Sequence, residues 1–153
     1  MKTRMLSAAL AAAFLLPAAA AAGAAPAIEV QQPWSRPAAA GGVGVGYLTL
    51  VNKGPADALV AVESPTARKV EMHASSMEGG VMRMSPEARV ALPAGSRVTF
   101  APGGRHLMLI GLKRPLKQGD RAPATLRFAS GARLKVDFVV TPTPPSAGPA
   151  HAH

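Results

Sequence analysis

Histidine and methionine are unevenly distributed along this chain of 153 residues. Two of its four histidines, His73 and His106, lie in the middle of the chain, whereas the other two are at its C-terminal end. The five methionines beyond residue 25 all fall near His73 or His106, at positions 72, 77, 82, 84 and 108. Methionines that only fill a core have no reason to cluster in this way. The clustering indicates a site of imidazole nitrogen and thioether sulfur.

Strand periodicity sorts these side chains by face, because successive side chains on a strand point to opposite sides. In the segment 106–110, Leu107 and Leu109 point into the core and leave His106 and Met108 together on the other face. In the segment 70–73 the same alternation buries Met72 and turns the following histidine outward. Residues 82 and 84, both methionines, share one face of their own strand.

Two imidazoles and two thioethers form a soft, neutral ligand set, and we predict that His73, Met84, His106 and Met108 bind one metal ion. Cu(I) favours sulfur and tolerates low coordination numbers, so it suits this set. Zn(II) more often recruits cysteine, carboxylate or a third histidine. Thioether cannot form a disulfide, which keeps such a site usable in an oxidising compartment, although methionine can be oxidised to the sulfoxide.

The segments between the prolines and glycines are short, rich in β-branched residues and often alternating, which is typical of an all-β sandwich or barrel. Nine such strands suit two antiparallel sheets with Greek-key connections, and we expect almost no helix. The predicted strands cover residues 28–32, 43–51, 59–63, 69–73, 81–84, 97–100, 106–112, 124–128 and 134–140. Met77 is expected in a loop after His73, as a first contact for incoming metal.

The first 25 residues have a charged start, an apolar run and small-residue cleavage sites, which together predict a secretory signal peptide. One β-domain is expected over residues 26–140, followed by a flexible proline- and alanine-rich tail over residues 141–153. Because Cu(II) favours imidazole nitrogen, His151 and His153 in this tail are candidate Cu(II) ligands.

The net charge is +9, and it falls to +7 without residues 1–25, which contain two basic residues and no acidic ones. The basic residues are scattered singly, so we expect no nucleic-acid partner and a solvated surface that helps to meet an acidic protein. The apolar run of the leader is too short to span a bilayer, and the sequence contains no cysteine for lipid attachment or disulfides. We therefore expect a periplasmic protein, or an extracellular one if the host has no outer membrane, without stable membrane insertion.

The ligand spacing resembles that of the periplasmic copper chaperones that serve the copper-A centre of cytochrome c oxidase. Ten residues separate His73 from Met84, twenty-one separate Met84 from His106, and one separates His106 from Met108. The resemblance extends over roughly residues 28–140. Its other motifs are PWSRP at 33–37, GYLTL at 46–50, VEMH at 70–73, GVMRM at 80–84, PGGRHLML at 102–109 and GLKRPL at 111–116.

This resemblance implies a cupredoxin-like β-sandwich, Cu(I) as the bound ion, and a function without catalysis. It also implies delivery to the copper-A domain of cytochrome c oxidase subunit II, directly or with a thiol copper-transfer protein. Two other functions stay open, namely a periplasmic copper-sequestering or resistance protein and a structural β-domain without metal. An electron-transfer blue-copper protein is excluded, because its site requires a cysteine.

Overall fold

The computed structural model describes residues 27–146, and these residues form ten β-strands and no helix. The predicted all-β class is therefore confirmed for this part of the chain, which also contains no helix able to cross a membrane. The predicted signal peptide, His151 and His153 lie outside the described residues. The strands are β1 (Ile28–Ser35), β2 (Val43–Asn52), β3 (Asp57–Glu63), β4 (Ala67–Glu78), β5 (Val81–Pro86), β6 (Val90–Leu92), β7 (Arg97–Phe100), β8 (His106–Leu112), β9 (Arg121–Phe128) and β10 (Arg133–Val140).

The strands follow the order β5-β4-β8-β2-β1-β10-β9-β3-β6 in one hydrogen-bonded sheet. Strand β2 pairs with β8 through its first half and with β7 through its second half. Among the ten described strands, only β1 and β10 pair in parallel, at Trp34–Val139 and Ser35–Val140. The chain thereby brings β4, β5 and β8, which carry the predicted ligands, together at one end of the strand order.

The core is built from the inward faces of these strands, as their alternation predicts. Strand β9 buries every second residue, and β2 is buried along most of its length because it pairs with neighbours on both sides. Phe100, Leu107, Leu109 and Phe138 are almost completely buried. Since the sequence has no cysteine, this apolar core stabilises the fold without disulfides.

The outer part of β4 and all of β5 form a projecting hairpin over residues 74–86, which we call the methionine hairpin. Its turn is the dipeptide Gly79-Gly80, with φ angles of 57° and 80°. Two consecutive positive φ angles are those of a type I′ turn, which glycine adopts without strain. The prediction of Met77 in a loop is wrong, because Met77 lies in β4 directly opposite Met82. Every residue of β5 is exposed, and β5 forms an edge of the sheet.

Candidate metal centre

His106 begins β8 and is buried, with 6% of its surface exposed. Its Nδ1 atom lies 3.1 Å from the carbonyl oxygen of Gly104. A carbonyl can only accept a hydrogen bond, so Nδ1 carries the proton. In the neutral ring the Nε2 atom of His106 then holds the free lone pair. The same Gly104 oxygen accepts a hydrogen bond from the backbone N–H of Ser75 at 3.2 Å, which ties this loop to β4.

His73 lies in β4, and its Nε2 atom is 3.0 Å from a carboxylate oxygen of Glu71. Hydrogen bonds from Lys69 and from His73 hold the pKa of the Glu71 carboxyl below its ordinary value, so Glu71 accepts as a carboxylate. Nε2 of His73 is therefore the protonated atom. Its Nδ1 atom is buried and has no hydrogen-bond partner in the described part of the chain. A buried, unpaired imidazole nitrogen is costly unless it binds something, and a metal ion is a suitable partner.

The two imidazoles face each other across the β4–β8 pairing, where His73 and His106 are register partners. Their ring centroids are 5.8 Å apart, with an angle of 31° between the planes. Two imidazoles that share one ion through metal–nitrogen bonds of about 2.0 Å place their centroids roughly 5–6 Å apart. The observed spacing therefore fits one ion held between the two rings.

The two predicted thioether ligands lie beside this pair of rings. Met108 is two residues after His106 on β8, and Met84 lies in β5, where it is 59% exposed. Both line an open cavity of about 210 Å³ that His106 also lines. His73 does not line this cavity; it lies behind it, against His106. The structure thus places Met84, His106 and Met108 at one cavity, and it places His73 against the ring of His106.

An aromatic pair supports one wall of the cavity. Tyr47 lines the cavity, and its ring lies 4.6 Å from the ring of Trp34, which is buried. The guanidinium group of Arg36 lies 5.9 Å from both ring centroids, within the range of cation–π attraction. Trp34 therefore occupies the interior and supports the cavity through Tyr47 and Arg36, which both line it.

Sequence reasoning did not assign three features of this site. Met82 lines the cavity with Met84, although only their shared face was predicted. The shared Gly104 oxygen could not be foreseen, because it depends on how the loop folds back. The third feature is the double hydrogen bond from Arg105 to Glu87, at 2.9 and 3.2 Å, which holds the loop before His106 against the end of the methionine hairpin.

Within residues 27–146, no group of three or more His, Cys, Asp or Glu side chains could hold a metal ion. The side chains that line the cavity beside His106 instead include thioethers, from Met82, Met84 and Met108. Such a donor set disfavours the hard cations, which require oxygen ligands.

Comparison with known proteins reveals related chains and domains. A protein of Leifsonia xyli named "Putative lipoprotein Lxx21020" is 33% identical over 111 residues, which are 71% of this chain and 66% of the relative. The chain thus spans slightly less than two thirds of the length of that relative.

Two solved structures share both sequence and fold with the chain. The "Copper-bound PCuAC domain from PmoF2" is 30% identical, with a TM-score of 0.65, and covers 78% of this chain and 97% of the domain. The Cu(I) form of DR1885 from Deinococcus radiodurans is 31% identical, with a TM-score of 0.56, and covers 80% of this chain and 83% of that one. These matches confirm the predicted cupredoxin-like β-sandwich.

Residues 28–140 match the family described as "Putative lipoprotein LpqE-like". This range begins at the first residue of β1 and ends at the last residue of β10, so it includes every described strand. The chain belongs to the LpqE-like family.

Proposed function

We propose that this protein is an exported copper chaperone that binds one Cu(I) through His73, Met84, His106 and Met108. The observation that carries the proposal is the His73–His106 pair, in which each ring uses one nitrogen for a hydrogen bond and keeps the other free. Two thioethers lie beside this pair. The similarity to structures of copper-bound domains supports copper as the ion.

The donor atoms support Cu(I) as the proposed oxidation state. Thioether sulfur is a soft ligand that favours Cu(I), and both imidazoles are fixed in tautomers that present a lone pair. The bound ion would remain close to solvent, because Met84 is largely exposed and the cavity is open. An accessible ligand suits a protein that must release its ion to a partner, and the proposal includes no catalytic step.

We propose export to the periplasm by the leader at residues 1–25, in agreement with the lipoprotein names of the relative and the family. The proposed acceptor is the copper-A domain of cytochrome c oxidase subunit II, reached directly or through a thiol copper-transfer protein. Net positive charge would favour encounter with an acidic acceptor surface.

Copper transfer between purified proteins tests this function. The Cu(I)-loaded protein is mixed without oxygen with the copper-A domain or with a thiol copper-transfer protein, and copper is then quantified on each protein after separation. We expect copper on the acceptor, and no transfer from a His73→Ala/His106→Ala variant, which should not load. Copper that stays on the donor at equilibrium would indicate sequestration, and failure to bind Cu(I) at all would indicate a structural β-domain.

A further inference from the structure

Two exposed methionines on the methionine hairpin are not among the four proposed ligands. Met77 and Met82 are 64% and 53% exposed, and they are direct register partners across the hairpin. Methionine is usually buried, so an exposed pair of methionines in direct register calls for a physical explanation. Coordination of a soft ion by both sulfur atoms would provide one.

The geometry of the hairpin places both sulfur atoms within reach of a single ion. Directly opposite residues on antiparallel strands have Cβ atoms about 4.5–5.5 Å apart and point to the same face. Methionine side chains have three rotatable bonds, so two sulfurs at this spacing can approach one ion from either side. The short Gly79-Gly80 turn fixes this register.

The next pair on the same face of the hairpin is Ser75 with Met84. Met84 therefore lies two residues from Met82 along β5, or about 7 Å. Met82 and Met84 both line the cavity that contains His106 and Met108. The thioethers thus form a continuous row from the tip of the hairpin to the imidazole pair.

We propose that Met77 and Met82 form a second, weaker Cu(I) site near the tip of the hairpin, with Met84 as a ligand shared with the four-ligand site. This proposal rests on the proposed copper function and specifies the route that the ion takes. The outer site would contain thioethers only and lie open to solvent, so it binds less tightly than the site with two imidazoles. The ion moves by ligand exchange: the bonds to the two imidazole nitrogens and to the sulfur of Met108 break, bonds to the sulfurs of Met82 and Met77 form, the bond to Met84 is kept, and copper remains Cu(I).

Methionine-methyl NMR during titration with Cu(I), or with Ag(I) as a stable substitute, tests the outer site. The first equivalent should shift the methyl signals of Met84 and Met108, and the second should shift those of Met77 and Met82. Buried Met72 serves as an internal control for folding. In a Met77→Leu/Met82→Leu variant, the first affinity should stay within about twofold and the second event should vanish. Transfer to the acceptor should slow by about tenfold, the lower range for loss of a group that supports a metal site.

Leucine keeps the apolar bulk of methionine and removes its sulfur, so a second variant separates coordination from docking. If Met77→Leu/Met82→Leu transfers copper as fast as the wild type while Met77→Ser/Met82→Ser does not, the hairpin is an apolar docking surface and the outer site is refuted. Absence of a second binding event in the wild type refutes it as well. Failure of the copper function itself would be recognised separately, because the wild type would then not bind the first equivalent, or would bind it no more tightly than His73→Ala/His106→Ala does.

Discussion

Met84 and Met72 provide a matched pair of substitutions in which stability and copper affinity should change independently. Met84 is 59% exposed on an edge strand, whereas Met72 is 6% exposed in the core. Replacement of a buried methionine by alanine costs about 2–5 kcal/mol of unfolding free energy, from lost transfer energy and the cavity left behind. Substitutions on an exposed surface usually stay within about 0.5 kcal/mol. We therefore expect Met72→Ala to destabilise the fold and Met84→Ala to leave it nearly unchanged.

Copper affinity should instead be lowered by Met84→Ala and not by Met72→Ala. Removal of a group that only orients a metal ligand costs about 10–100-fold in affinity, so loss of a direct ligand should cost at least about 100-fold. Met84→Ala should show this loss, while Met72→Ala should keep the wild-type affinity under conditions where it is folded. Urea unfolding of the metal-free proteins gives the stabilities, and competition with a chromophoric Cu(I) chelator gives the affinities. A Met84→Ala variant that unfolds readily, or that binds Cu(I) as tightly as the wild type, would refute the placement of Met84 as an exposed ligand.

Three further predictions follow from local contacts. Glu71→Gln should weaken Cu(I) binding by about 10–100-fold because it removes the charged partner of the His73 imidazole. Glu63→Gln alters an exposed ion pair with Arg127 and should not change the affinity in the same chelator competition. Although burial raises the pKa of Asp57, three hydrogen bonds outweigh this effect and lower it. The Asp57 carboxylate should therefore stabilise the fold above about pH 4, the ordinary aspartate pKa, and this stabilisation should be lost as the pH falls through the lowered pKa. In thermal melts from about pH 6 to about pH 2, the melting temperature should fall less for Asp57→Asn than for the wild type. Equal falls in the two proteins would contradict the assignment. Gly111→Ala should lower the free energy of unfolding in urea by about 1–2 kcal/mol, because φ at this position is 68° and a residue with a Cβ atom is strained there. An unchanged unfolding midpoint would show that the strand relaxes.

Most of the fold could be predicted from alternation, but two local features could not. Strand β6 has only three residues, which is too short for a periodic signal. Strand β1 continues past its predicted end because a bulge between Gln31 and Trp34 absorbs Pro33, with Gln32 at a φ of 48°. A bulge of this kind accommodates proline within a strand, and sequence periodicity does not show it.

The predicted end of β4 was too early because Ser75 and Ser76 have weak strand propensity. Pairing with β5 extends β4 to Glu78 regardless of that propensity. The Gly79-Gly80 dipeptide was a readable hairpin signal that would have placed Met77 opposite Met82.

The site was predictable only in part, because alternation along one strand shows some of its contacts and pairing between strands determines the others. Alternation places His106 with Met108, because both lie on one strand. The contact of His73 with His106 depends on the pairing of β4 with β8, which are separated in the chain by three intervening strands. Strand pairing over such a distance in sequence is a tertiary property, so the resemblance to a family indicated the four-ligand set more directly than any local pattern could.

The projection of the methionine hairpin from the edge of the sheet limits how this protein can change in evolution. Insertions at the Gly79-Gly80 turn do not alter the core, since β5 pairs only with β4. However, side chains alternate with a period of two, so an insertion of one residue in β5 would turn Met84 away from the imidazoles. The hairpin can therefore lengthen only by equal insertions in both strands, which keep Met84 opposite Ser75. An insertion of two residues in each strand near the turn leaves the proposed site in place and adds one cross-strand pair on the same face, at which a new partner preference can arise.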